Sequence, residues 1–191
     1  FVAFDATTLE LVQDLTVASE VRGEEFGPMA LTLDRAAGKL YSVGLSTGEV
    51  VVLDGATGRV DRMFRFPSIN GGIGVAIDPE GRRLYVAAQG SDNLVIANAD
   101  TGEVLHDVYV GAGAVYVAFD PHSKLAYVAS RGAGTITAVD ANGNIVANLD
   151  GGTFPNHVLP TGDGTIYAVN KSRGAEDVDG DQIRRITPKA D

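Results

Sequence analysis

Short apolar runs separated by polar breakers fill this chain from end to end. MALTLD (29–34), KLYSVG (39–44), EVVVLD (49–54) and RVDRMFRF (59–66) follow one another with only a few residues between them. Runs of this length, rich in Val, Ile, Leu and Tyr, predict strands rather than helices. No sustained 3.6-residue period appears, so no helix longer than a turn is expected. The breakers have turn chemistry. Asp78-PEG and Asp120-PHS place Asp first and Pro second, where Asp accepts from the turn backbone and Pro presets φ. Thr57-Gly58, Thr101-Gly102 and Asn142-Gly143 supply the positive-φ residues of tight hairpins.

The pattern repeats. Tyr41, Tyr85, Tyr127 and Tyr167 are spaced by 44, 42 and 40 residues. Each lies in an apolar run that follows another: MALTLD, IGVAID (73–78), VYVAFD (115–120) and HVLPTG (157–162). A third run follows each tyrosine: EVVVLD, NLVIAN (93–98), TITAVD (135–140) and QIRRIT (182–187). A fourth follows three of these, at 59–66, 103–110 and 144–150. Four short antiparallel strands in a unit of roughly 40–45 residues is the period of a β-propeller blade. The predicted class is therefore all-β, a β-propeller of four-stranded blades with strand a innermost and d outermost.

FVAFD (1–5) aligns with strand c and LELVQDLTV (9–17) with strand d. The expected units are 1–17 (strands c and d of a truncated blade), 18–66, 67–110, 111–150 and an incomplete 151–191. That is about 4.25 blades. An unpaired strand with an apolar face is an aggregation liability. The expectation is thus a portion of a larger ring, its missing blades supplied by another part of the same protein. The start at Phe1 fits a processed or truncated chain.

LYVAAQGSDNLVIANADTGEV (84–104) resembles the YVTN repeat, and VVVLDGATGRV (50–60) repeats its second half. GGTFPNHVLPTGDGTIYAVNKS (151–172) is similar to the last blade of YncE-like proteins. There Pro-Asn begins the inner strand, and a polar loop then precedes a short Asp-x-Ile-Arg-x-Ile strand. Here these are Pro155-Asn156 and Asp181-QIRRI. Asn98 departs from the repeat's strand-c Asp. The resemblance spans essentially the whole chain. It implies a seven-bladed ring in an exported bacterial protein of the periplasm. Some members of the group are described as binding single-stranded DNA, and the resemblance carries over no established enzymatic activity.

Composition narrows the chemistry. Glycine is 24 of 191 residues without a period of three, which excludes collagen, and 45% apolar residues exclude a disordered chain. With no cysteine, disulfides, thiolate metal sites and cysteine nucleophiles are excluded. No apolar stretch is long enough for a transmembrane helix. The net charge of −10 counts against a general nucleic-acid binder.

Because strands alternate in direction, the d–a and b–c connections share one rim. They vary more than the a–b and c–d turns, so the site is expected there. Arg131, Lys171 and Arg173 are candidate contacts for an anion, beside Ser130 and Ser172. Asn70 and Asn156 are candidate hydrogen-bonding contacts, and Glu25 and His157 are expected to tune the mouth. His106 and His122 are read as surface residues. Phe26, Phe66 and Phe154 are the aromatics near this mouth. The leading expectation is a non-enzymatic scaffold that binds a protein or small-molecule ligand, with single-stranded DNA as one version. No cofactor and no catalytic residue are expected. The alternative is a metal-dependent hydrolase or lactonase. Glu24, Glu25, Asn70 and Asn156 could offer oxygen ligands to Ca²⁺ or Mg²⁺, but Gly111-AGA in the third unit offers none. Asp177-Val-Asp179-Gly-Asp181 resembles half a calcium loop without its closing Glu.

Overall fold

The computed structural model describes residues 1–187. Among them there are strands and turns, and no helix long and apolar enough to cross a membrane. A two-stranded sheet pairs β1 (Val2–Phe4) with β2 (Leu11–Asp14). Three four-stranded antiparallel sheets follow. The first holds β3 (Pro28–Asp34), β4 (Lys39–Gly44), β5 (Glu49–Asp54) and β6 (Val60–Arg65). The second holds β7 (Gly72–Asp78), β8 (Arg83–Ala88), β9 (Asn93–Asn98) and β10 (Val104–Tyr109). The third holds β11 (Ala114–Asp120), β12 (Leu125–Ser130), β13 (Thr135–Val139) and β14 (Ile145–Asp150). A three-stranded sheet of β15 (Pro155–Pro160), β16 (Ile166–Asn170) and β17 (Gln182–Ile186) ends the described chain. In every sheet the strands pair in chain order, as the all-β blade reading requires.

The central strands of the three four-stranded sheets are apolar on both faces because each of these sheets lies between two others. Phe26, Val51 and Leu53 pack with Phe1, Leu15 and Val17 at the first junction. Tyr41 and Val52 meet Val75 and Ile77 at the second. Tyr85 and Ala87 meet Val117 and Val128 at the third, and Tyr127 and Ala129 meet Val158 and Ala168 at the fourth. The repeated tyrosine therefore fills the gap to the following sheet. The inner strands also approach closely. A Cβ on Gly74 would lie 2.9 Å from Tyr116 Cα and 2.8 Å from Val117 N, so only glycine fits there.

Turn and bulge chemistry repeat with the strands. Asp34 Oδ1 accepts from Ala37 N (3.0 Å), Asp78 Oδ1 from Gly81 N (2.9 Å) and Asp120 Oδ2 from Ser123 N (3.0 Å). Each inner strand carries a register shift just after its first residue: Pro28, Gly72, Ala114 and Pro155. Such bulges re-aim the side chains around them.

Candidate functional site

One hydrogen bond recurs on the d–a/b–c rim of the four larger sheets and aligns their loops. Leu45 N donates to Gly27 O (3.0 Å), Gln89 N to Gly71 O (2.8 Å), Arg131 N to Gly113 O (2.8 Å) and Lys171 N to Phe154 O (3.1 Å). The sheets thus serve as controls for one another. Gly27, Gly71 and Gly113 have φ of 54°, 64° and 72°. Phe154 takes their place in the last sheet. Leu45 and Gln89 give way to Arg131 and Lys171. Two residues on, Thr47, Ser91 and Ala133 give way to Arg173. At the bulge, apolar Ile73 and Val115 give way to Asn156. At the end of strand b, Gly44, Ala88 and Ser130 give way to Asn170.

Most of these departures meet. The Arg131 guanidinium lies over the Phe154 ring, 4.7 Å from its centroid, and Arg173 lies over the same ring at 5.3 Å. Arg131 Nη2 donates to Asn156 Oδ1. Arg173 Nη2 donates a long bond to Arg131 O (3.4 Å). Cation–π contact of this kind holds a guanidinium in place without consuming its N–H donors. Arg131 Nε is buried with no acceptor. Neither arginine, nor Lys171, forms an ion pair with a carboxylate of the described residues.

Asn170 holds this arrangement and was not anticipated as a site residue. It is fully buried. Its Oδ1 accepts from Phe154 N (2.7 Å), and its Nδ2 donates to Asp179 O and, at 3.5 Å, to Thr153 Oγ1. It ties the loop before β15 to the loop after β16. Gly152 has φ of 94° and carries no side chain where one would collide with this amide. Phe154, recognised as an aromatic near the mouth, is the ring on which both arginines rest. Lining up the four repeats at the rim would have flagged both residues.

Beside Arg173, a cavity of about 460 Å³ is lined by Thr153, Gly174, Ala175, Glu176 and Asp177. Asp177 Oδ2 accepts from Thr153 Oγ1 (2.6 Å) and Arg173 N (2.9 Å). The Thr153 hydroxyl, then the Arg173 N–H, and last the Arg173 charge hold its carboxyl below the usual range. Asp181 Oδ1 accepts from Ser172 N (3.0 Å). Two acids of the half calcium loop are therefore used to fold that loop.

The remaining candidates lie elsewhere. His157 packs against Tyr116 of the preceding inner strand, with ring centroids 3.7 Å apart. Burial pushes its imidazole below the usual value and pushes the Tyr116 phenol up. Asn70 lies in another blade, where its N–H donates to Ser91 Oγ (3.0 Å) and its carbonyl accepts from Gly90 N (2.9 Å). Glu25 is exposed and lines a separate cavity of about 550 Å³ with Phe1, Asp14, Ser19 and Glu24. Among the described residues, no group of three or more His, Asp or Glu could hold a metal ion.

No protein-family model matches the chain, and no curated protein sequence matches it. Solved structures do. The chain is similar to a chain of hydrazine synthase from Kuenenia stuttgartiensis, at 20% identity and a TM-score of 0.76, over 92% of this chain and 49% of that one. It is also similar to a chain of a mitotic checkpoint complex, at 15% identity and a TM-score of 0.79, over 98% of this chain and 56% of that one. It thus spans about half the length of these solved chains. At such identities the likeness shows the fold alone, and with the stacked four-stranded sheets it makes this chain a β-propeller of about four blades.

Proposed function

We propose that the chain is a non-enzymatic, YncE-like binding scaffold of the bacterial cell envelope, acting in the periplasm as part of a seven-bladed ring. It engages an anionic ligand or protein partner on its d–a/b–c rim. One observation carries this reading. The departures from the repeat at Arg131, Phe154, Asn156, Lys171, Asn170 and Arg173 fall on one rim of two adjacent blades, and two of the guanidiniums rest there on one ring without a carboxylate partner. A repeat scaffold kept only for its packing has no need of that cluster. One of the similar solved chains belongs to a Mitotic Checkpoint Complex, which accords with a partner-binding role. The YncE resemblance brings in single-stranded DNA as one anionic partner to be tried.

A thermal-shift panel of phosphate, citrate, glutamate, acidic peptide and oligothymidylate tests the reading. A ligand at ten times its Kd raises stability by about 1.4 kcal/mol, or roughly 3–5 °C for a chain of this size. At least one anion is expected to produce that rise in the wild type and not in the Arg131→Gln/Arg173→Gln variant. A panel with no rise, or equal rises in both proteins, overturns it.

A further inference from the structure

We infer that the rim site takes a single carboxylate, presented by the side chain of an acidic residue in a peptide. This rests on the rim reading above and narrows its ligand. Three observations select the class.

The first is the state of the two guanidiniums. Arg131 is anchored by Asn156 Oδ1 and by the Phe154 ring, and Arg173 by the same ring and a long bond to the Arg131 carbonyl. Each guanidinium has five N–H donors in a planar fork, and these contacts leave most of them open. A carboxylate matches that fork geometrically. Because the ring already restricts both side chains, less freedom is lost on binding.

The second is the local charge. Arg131, Lys171 and Arg173 stand among Glu176, Asp177, Asp179 and Asp181. Three cations beside four carboxylates leave no excess positive charge for a polyanion, so the anion that binds is one that the open guanidinium fork can hold directly. A string of phosphates would carry its neighbouring charges past Glu176 and Asp177, in a chain whose net charge is −10. Polyanion binding needs several cations that the site does not have. Single strands also rely on open aromatic faces, and Phe154, the aromatic here, is occupied by arginine.

The third is space. The cavity of about 460 Å³ opens beside Arg173 and is lined by Gly174 and Ala175 as well as acids. It is an open depression rather than an enclosed pocket, so it admits a chain lying along the rim. It gives room for the chain that carries the carboxylate, so a peptide fits better than a bare anion.

The test is an amide chemical-shift titration of the full chain with five probes: acetyl-Ser-Gly-Glu-Gly-Ser-amide, its Gln counterpart, N-acetylglutamate, inorganic phosphate and a twelve-residue oligothymidylate. The Glu peptide is expected to shift resonances around Arg131, Phe154 and Arg173 and to bind about tenfold more tightly than the Gln peptide, the loss expected for a charge-assisted contact. Arg173→Gln is expected to remove that difference while leaving the melting temperature unchanged, since Arg173 is exposed. N-acetylglutamate binding as tightly as the peptide would overturn the peptide source. Phosphate or oligothymidylate binding the rim more tightly than the Glu peptide would overturn the carboxylate assignment and leave the rim reading standing. No shift at the rim with any probe would overturn both.

Discussion

The sheet β7–β10 and the sheet β15–β17 descend from one repeat and do different work. In the first, Tyr85 is fully buried against the next blade, and the rim loops are built of Asn70, Gly90 and Ser91 bonded to one another and Gly71 bonded to Gln89. In the second, the equivalent Tyr167 is 38% exposed, Leu159 and Ile183 more so, and the rim carries Phe154, Lys171 and Arg173. Cations follow the same division. Arg82, from the interior sheet, reaches Asp34 of the preceding blade and Asp100 of its own, on the a–b/c–d rim. Arg131 and Arg173 lie on the other rim with no carboxylate partner. Where the repeat is kept, its residues hold blades together. Where it is broken, the side chains are left with unsatisfied chemistry.

The largest effect that separates the two sheets comes from the shared tyrosine. Tyr85→Ala removes a fully buried ring from the third junction and is expected to cost about 3–5 kcal/mol. That lowers the melting temperature by on the order of 10 °C. Tyr167→Ala should cost less than about 1 kcal/mol, because its ring meets solvent. Equal losses in calorimetry would show that the last sheet's open face is covered in solution, and the comparison would fail.

A smaller effect distinguishes two blade-to-blade links of the a–b/c–d rim. Asp34 is fully buried, and burial alone would raise its carboxyl. The Ala37 N–H and Arg82 outweigh that and hold it below the usual range. Arg82→Gln leaves this carboxylate without its cation, at an expected cost of about 3 kcal/mol. Lys124 makes the corresponding contact one blade on, to Glu80, but both side chains are exposed. Lys124→Gln should leave the denaturation midpoint unchanged. A large loss from Lys124→Gln with none from Arg82→Gln would reverse the ranking of the two blade-to-blade links.

The fold was legible because it is written several times over. Tyr41, Tyr85 and Tyr127, each followed by an apolar run and a Gly-containing hairpin, mark the same strand of three blades, and their period identifies the architecture. The site was legible only in part. Arg131, Asn156 and Arg173 were anticipated as cations and hydrogen-bonding groups on a variable rim, and the structure brings both guanidiniums to one ring and Asn156 to Arg131. Glu25 and Asn70 were grouped with them by rim alone, and they lie in other blades. Asn170 escaped notice because its role is to bond two loop backbones, Phe154 N and Asp179 O, that are far apart in sequence. Composition and motif carry no sign of such a contact. It emerges from comparing the last residue of strand b across the blades, where Gly44, Ala88 and Ser130 set the pattern that Asn170 breaks.

The smallest expected effect is a pH dependence confined to the last sheet. Asn156 and His157 follow one another in β15, and burial against Tyr116 depresses the His157 pKa below its ordinary 6.5. The unfolded chain takes up a proton on this imidazole near pH 6.5, while the native state stays neutral until the pH is lower. The unfolded state therefore binds more protons in that window, and stability rises with pH through it. The contribution is complete above about pH 7.5 and declines as pH falls through 6.5 toward the native value, below which it levels off. The bonded carboxylates, such as Asp34 and Asp177, are also depressed, but they lose their contribution as pH falls through the ordinary carboxylate range and beyond it, below the histidine window. Urea midpoints at pH 7.5 and 5.5 isolate the histidine. Wild type is expected to be less stable at 5.5, and His157→Asn to show no such difference. The interior sheet has Gly74 at the equivalent position and no imidazole there, so a slope that survives in His157→Asn would move its origin out of the last sheet.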